Sequence, residues 1–226
     1  MAHFVEDAAA ALEGVSDGAT ILIGGFGAAG QPVELIDALI DTGATDLTVV
    51  NNNAGNGDVG LARLIQLGRV KKMICSFPRQ ADSWHFDAKY RAGEIELEVV
   101  PQGNLAERIR AAGAGIGAFY THTGFGTMLA EGKETREIDG RQYVLEFPIF
   151  GDIALIKAQT SDRLGNLQYR KTARNFGPVM ATATKRSIVQ VSEIVETGQM
   201  DPENVVTPCI YVDTVVKIDT GNGAES

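Results

Sequence analysis

The stretch Ala19-Thr20-Ile21-Leu22-Ile23-Gly24-Gly25-Phe26-Gly27-Ala28-Ala29-Gly30-Gln31-Pro32 decides the fold. Its first five residues are apolar or β-branched, the composition of a strand buried on both faces. The glycines that follow let the backbone turn sharply and approach a ligand closely. Pro32 is a natural first helical residue. The helix it opens runs to Ile40, with Val33, Leu35, Ile36 and Leu39 on one stripe, Glu34, Asp37 and Asp41 outside, and Gly43 as its stop. Strand, glycine loop and helix make one βα unit. Further strands are expected at Leu47 to Asn51, Met73 to Phe77 and Ile95 to Val100, and repetition of the unit implies a parallel sheet. Asn104 with Glu107 three residues later reads as a capping box that opens a helix to Ala112.

Beyond Gly115 the pattern turns β-rich. Asp139-Gly140 sits between two extended runs within Thr135 to Phe147, the signal of a two-residue hairpin. Strands are expected at Ile153 to Lys157, Asn166 to Tyr169, Ser187 to Val191 and Ile210 to Ile218, and a helix across Pro178 to Thr184. The fold class is therefore α/β: a mainly parallel sheet flanked by helices, with a β-richer C-terminal half that extends it as a mixed sheet. One domain is expected over residues 1–218, and 219–226 read as a disordered tail.

Composition excludes several function classes. With 226 residues and 44% hydrophobic content the chain buries a real core. A net charge of -9 argues against nucleic acid and against an anionic membrane as partners. The longest apolar run, Ala19 to Gly30, is shorter than the roughly 20 residues of a membrane span. Met1 to Ala11 carries Glu6 and Asp7 and no basic start, so no signal peptide is read and the expected location is cytoplasmic. Cys75 and Cys209, with His3, His85 and His122, are too scattered for a metal site, and no nucleophile elbow is present.

In open α/β sheets ligands lie at the carboxyl ends of the strands. The four exits here are Gly24 to Pro32, Asn51-Asn52-Asn53-Ala54-Gly55, Ser76-Phe77-Pro78-Arg79-Gln80 and Pro101-Gln102-Gly103. Each alone could be a turn, and Asx turns account for part of the triple asparagine; four polar exits on one edge favour a site. Gly25 to Gly30 also matches the dinucleotide pattern GxGxxG, which would make the chain an NAD-dependent oxidoreductase. The acidic residue that should end the next strand is replaced by asparagines, and Pro32 delays the helix, so that reading ranks well behind.

Asp17-Gly18, Gly24-Gly25-Phe26, Gly30 and Pro32, together with Pro101-Gln102-Gly103-Asn104-Leu105-Ala106-Glu107-Arg108 and Arg174-Asn175-Phe176, resemble the A-type half of the family I 3-oxoacid coenzyme A transferases. The resemblance spans almost the whole chain and implies the NagB/RpiA/CoA-transferase-like fold. In that family a glutamate attacks an acyl-CoA, passes through an acyl anhydride and carries CoA as a glutamyl thioester. It lies in a Glu-Asn-Gly motif of the B-type half; the one Glu-Asn here, Glu203-Asn204, is followed by Val205. The resemblance therefore implies a B-type partner subunit that carries the nucleophile, and activity only with it.

It further implies that Gly25, Phe26, Gly27, Ala28, Ala29, Gly30 and Gln31 form the CoA-binding loop, that Gln102 donates to the thioester oxyanion and that Asn52 lines the same pocket. CoA thioester is then a substrate and no cofactor is permanently bound. Within the family, Cys75 to Gln80 and Arg174 to Pro178 are most similar to chains that use succinyl-CoA and 3-oxoadipate, with acetoacetate as the competing acceptor; a non-enzymatic CoA-binding chain is the distant alternative. Arg79 is read either as an exposed turn residue or as the partner of the distal carboxylate of 3-oxoadipate. Arg170, Lys171 and Arg174 read as a solvated face that could meet CoA phosphates or the partner chain, and Trp84 and His85 as packing residues of a helix.

Overall fold

The branched apolar runs line up side by side in one sheet. The computed structural model describes residues 2–218; the tail expected at 219–226 lies outside the described residues. The chain forms β1 (His3–Val5) and α1 (Ala8–Ala11), then β2 (Thr20–Ile23), α2 (Val33–Asp41), β3 (Leu47–Val50), α3 (Leu61–Gln66), β4 (Val70–Cys75), α4 (Trp84–Arg91), β5 (Glu96–Val99) and α5 (Gln102–Gly113). A flap follows, made of β6 (Phe119–Thr121), β7 (Thr135–Ile138) and β8 (Arg141–Glu146). The remainder comprises β9 (Gly151–Lys157), β10 (Thr160–Asp162), β11 (Leu167–Gln168), α6 (Gly177–Ala181), β12 (Thr184–Val191), β13 (Glu193–Val195) and β14 (Thr214–Lys217).

Eight strands form the main sheet in the order β1-β14-β12-β9-β2-β3-β4-β5. Every neighbouring pair in it is parallel. The extension expected as mixed is instead parallel, because β9, β12 and β14 join the same sheet; among the described residues antiparallel strand pairing is confined to the flap and to the pair β10–β11. Alternation along each strand divides the core. Ile21, Ile23, Leu155 and Ile188 face one cluster with Leu35, Leu39 and Leu64 of α2 and α3. Leu22, Ala154, Ile156 and Val189 face the other with Leu105 and Ile109 of α5 and Met180 of α6. Strand order departs in both directions from the β2–β9 pair, which makes it the topological switch point. A ligand crevice belongs at the carboxyl ends beside it.

The hairpin forms as expected, with Ile138 opposite Arg141 and both Asp139 (φ 49°) and Gly140 (φ 74°) in the left-handed region that a two-residue turn requires. Other boundaries move. β4 begins at Val70, three residues early, because Lys72 is not a breaker but pairs with Glu98 on β5 at 2.7 Å. The strand expected over Ile210 to Ile218 is shorter, since Cys209–Tyr211 coil into a 3-10 turn and only Thr214–Lys217 pair. The helix expected from Pro178 to Thr184 covers Gly177–Ala181. The capping box at Asn104 does not form. α5 already begins at Gln102 behind Pro101, and the buried Asn104 side chain turns to Thr123 and Glu146.

Candidate active site

Hydrogen bonds link the four strand exits into one edge. Gly24 N–H donates to the Leu155 carbonyl at 2.9 Å, fixing the β2 exit to β9. The Asn51 amide donates to the Ile23 carbonyl at 2.6 Å, fixing the β3 exit to β2. The N–H groups of Ser76 and Phe77 donate to the Asn52 carbonyl at 3.2 and 3.0 Å, and Val100 N–H donates to the Cys75 carbonyl at 3.0 Å, so the β4 and β5 exits complete the row. The exits expected from the sequence are thus neighbours in space.

The glycine loop is a tight double-back. Phe26 and Ala29 exchange backbone hydrogen bonds at 3.0 and 3.3 Å, leaving Gly27-Ala28 at the tip. The Gly27 and Ala28 N–H groups donate to nothing among the described residues. Asn175 holds the loop from behind: its side-chain oxygen accepts from Gly25 N–H at 3.1 Å and its amide donates to the Ala29 carbonyl at 2.9 Å. Gly30 must be glycine, since its φ is +75° and a Cβ would sit 2.5 Å from the Ala173 carbonyl oxygen. Gln31 is buried, with its side chain against Gly60. The Gln80 amide nitrogen lies 3.9 Å from where a Gly27 Cβ would sit, which brings the β4 exit to the loop tip.

The three asparagines divide their tasks. Asn51 is a tie between strands. The Asn53 oxygen accepts from Gly55 N–H at 3.1 Å in an Asx turn, while its buried amide nitrogen has no partner among the described residues. Asn52 is buried and held by Ser76. Ser76 Oγ donates to its side-chain oxygen at 2.7 Å, which fixes the amide orientation and leaves the NH2 as the available donor. Sequence reasoning named Ser76 only as an exit residue; a hydroxyl one strand over from an asparagine was the signal available. Gln102 is exposed on the first turn of α5, its side chain without a partner among the described residues.

Arg79 is 62% exposed, and its Nε donates to Asp87 at 2.9 Å. Lys171 and Arg174 are exposed on the turn that precedes Asn175. Trp84 does not pack as expected: its ring is half exposed, and its Nε1 and the His85 Nε2 reach Asp58 at 3.4 and 2.7 Å. Hydrogen bonding from His85 holds the Asp58 carboxyl below its usual range. Burial pushes the Cys75 thiol at the end of β4 up to about 12, so it is a neutral core residue. Glu203-Asn204 lies in an exposed 3-10 turn capped by Asp201.

The arrangement therefore presents amide and backbone donors and one arginine on a single edge, and the four exits contain no carboxylate. The profile of the coenzyme A transferase family matches residues 5–218. The chain belongs to the coenzyme A transferase family. It is 64% identical to the A-type subunit of 3-oxoadipate CoA-transferase from Pseudomonas putida, over 98% of this chain and 95% of that one. It is 66% identical to the protein of the same name in Acinetobacter baylyi, over 93% and 92% of the two chains. Its fold superposes, with a TM-score of 0.85 and 24% identity, on an acyl-CoA transferase from E. coli O157:H7 solved as a thioester complex with CoA. The match covers 98% of this chain and 48% of that structure, so this coenzyme A transferase chain spans about half its length. Among the described residues no helix is long and apolar enough to cross a membrane, and no cluster of potential metal ligands occurs.

Proposed function

We propose that the chain is the A-type subunit of a heteromeric transferase that moves CoA from succinyl-CoA to 3-oxoadipate, with the nucleophilic glutamate on a B-type partner. The observation that carries this reading is an edge with donors and no carboxylate on its four exits. Gln102, Asn52 and the loop tip at Gly27-Ala28 can hold an oxyanion, and the four exits contain no carboxylate to attack a thioester.

In this reading the partner's carboxylate attacks the thioester carbonyl. Negative charge develops on that oxygen, where neutral donors stabilise it most as the bond forms. Collapse expels CoA as thiolate and leaves an acyl-glutamyl anhydride. The thiolate then attacks the glutamyl carbonyl, releasing succinate and leaving the glutamyl-CoA thioester, and the 3-oxo acid carboxylate takes CoA by the same two steps reversed. The glycine loop receives the CoA thioester, and Lys171 and Arg174 beside it suit its phosphates. Arg79 suits the distal carboxylate of the acceptor, since Asp87 holds its Nε edge and leaves the terminal nitrogens to pair. The relatives' shared name and near-complete overlap support the same reading.

The test is reconstitution. The purified chain alone is expected to show no CoA transfer, and mixing with a B-type chain carrying Glu-Asn-Gly should restore it, faster with 3-oxoadipate than with acetoacetate. Single-chain turnover would overturn the reading.

A further inference from the structure

Asn104, expected to cap α5, is 3% exposed and is used otherwise. Its amide nitrogen donates to the Thr123 carbonyl at 3.1 Å and to Glu146 Oε1 at 3.2 Å. Glu146, at the end of β8, is equally buried at 3%. Lys133 donates to the same oxygen at 2.8 Å, and Arg108 Nε lies 3.7 Å from the other. Arg108 also donates to Glu98 at 2.8 Å and to the Phe147 carbonyl at 2.8 Å. One charged network thus joins the first half of α5 to β5, to the flap and to the loop His122–Thr127 that follows β6.

A buried carboxylate is a poor way to gain stability, because desolvation offsets most of what its partners return, and an apolar pair of similar volume would pack as well. What the network does supply is a fixed rotation of α5. No side chain caps the helix start, and Pro101 offers no N–H. Asn104 is therefore the side-chain tie at the first turn, and Gln102 stands two residues before it on that turn. Gln102 is exposed and held by nothing of its own among the described residues. With a helix radius of about 5–6 Å including side chains, a rotation of about 10° would carry the Gln102 amide about 1 Å. A misplacement of that size can cost about a hundredfold in rate.

We propose that Asn104 and Glu146 are positioning residues for the transfer reaction, acting through Gln102 by locking the rotation of α5 against the flap. This rests on the function proposed above. The chemistry it serves is a donor that must meet an oxyanion within a few tenths of an ångström, while the glycine loop and its basic neighbours supply the other contacts to the acyl-CoA.

A double-mutant cycle in the reconstituted complex tests it. Asn104→Ala should lower kcat about tenfold to a hundredfold with KM for succinyl-CoA changed less than about twofold. In a Gln102→Ala background the same change should cost less than about threefold. Glu146→Ala should behave like Asn104→Ala, and Glu146→Gln, which keeps an acceptor oxygen, should recover most of the lost kcat. Losses that multiply in the double variant, or that fall on KM, overturn the positioning role while leaving the proposed function intact. A wild-type complex without CoA transfer overturns that function instead. Independently of activity, hydrogen exchange at the Leu105 and Ala106 amides of α5 should speed up in Asn104→Ala while the main sheet stays protected; unchanged exchange there overturns the proposal in either case.

Discussion

Asn175 and Gly25 lie 150 residues apart in the chain and 3.1 Å apart in space, joined by a hydrogen bond from the Gly25 N–H to the Asn175 side-chain oxygen. The other end of the same amide donates to the Ala29 carbonyl. Asn175→Ala removes both supports. Each such bond contributes about 0.5–1.5 kcal/mol net, so a stability loss of about 1–3 kcal/mol is expected. Disorder of the loop should lower kcat/KM for succinyl-CoA by about tenfold or more. Thermal melts and steady-state kinetics of the complex check this, and an intact kcat/KM would mean that the loop holds its shape without the clamp.

In the proposed mechanism Gln102→Ala removes a donor that acts mainly on the developing oxyanion. Loss of one such group typically costs about a hundredfold to a thousandfold in rate. The expected outcome is that loss in kcat with near-normal binding of CoA, measured by kinetics and by calorimetry with CoA. Unchanged kcat would take Gln102 out of the reaction.

Arg79→Ala separates the acceptors. A hydrogen bond to a charged group contributes about 1.5–3 kcal/mol, so kcat/KM for 3-oxoadipate should fall by roughly ten- to a hundredfold. Acetoacetate has a methyl group in place of the distal carboxylate and should be affected less than about twofold. Equal losses on both acceptors would return Arg79 to the status of an exposed turn residue paired with Asp87.

Alkaline pH should destabilise the fold. Burial pushes the Cys75 thiol from an ordinary value of about 9 to about 12, and burial also raises Tyr169 to about 12, outweighing its hydrogen bond with Thr207. Both groups keep in the folded state a proton that the unfolded chain releases. The contribution of Cys75 is therefore full below about pH 9 and lost between about pH 9 and 12, and that of Tyr169 is lost between about pH 10 and 12, each by about 1.4 kcal/mol per pH unit. Urea unfolding at pH 8, 9.5 and 11 measures this, and Cys75→Ala should flatten the slope from about pH 9 upward.

The sheet was legible in the sequence where strands are buried on both faces. Ile21 to Ile23 and Val49-Val50 have no other good use, and the hairpin at Asp139-Gly140 follows from turn chemistry alone. Short strands were not legible. His3–Val5, Thr160–Asp162 and Glu193–Val195 have three residues each and too little pattern to stand out, and their partners in the sheets hold them in place. Lys72 hid the start of β4, because an ion pair across to Glu98 cannot be seen along one strand. At the site, the exits could be read because strand ends are local features. The clamps could not: Asn175 on the glycine loop, Ser76 on Asn52 and Glu146 on Asn104 are choices made by residues brought together only by topology. Asn104 shows the cost most plainly, since its spacing to Glu107 satisfied a local rule while a long-range carboxylate claimed the side chain.

The pairing of β1 with β14 has a bearing on how the protein is made. His3 sits opposite Thr214 in a parallel ladder, so a strand that leaves the ribosome early has no neighbour in the main sheet until nearly all of the other strands have been synthesised. Parallel ladders of such long sequence separation form slowly. Until then β12 lacks the neighbour that β14 gives it, and its open hydrogen-bonding edge can recruit other chains. Expression at low temperature or with a chaperone that shields strand edges should therefore raise the yield of this protein more than any stabilisation of its early βα units.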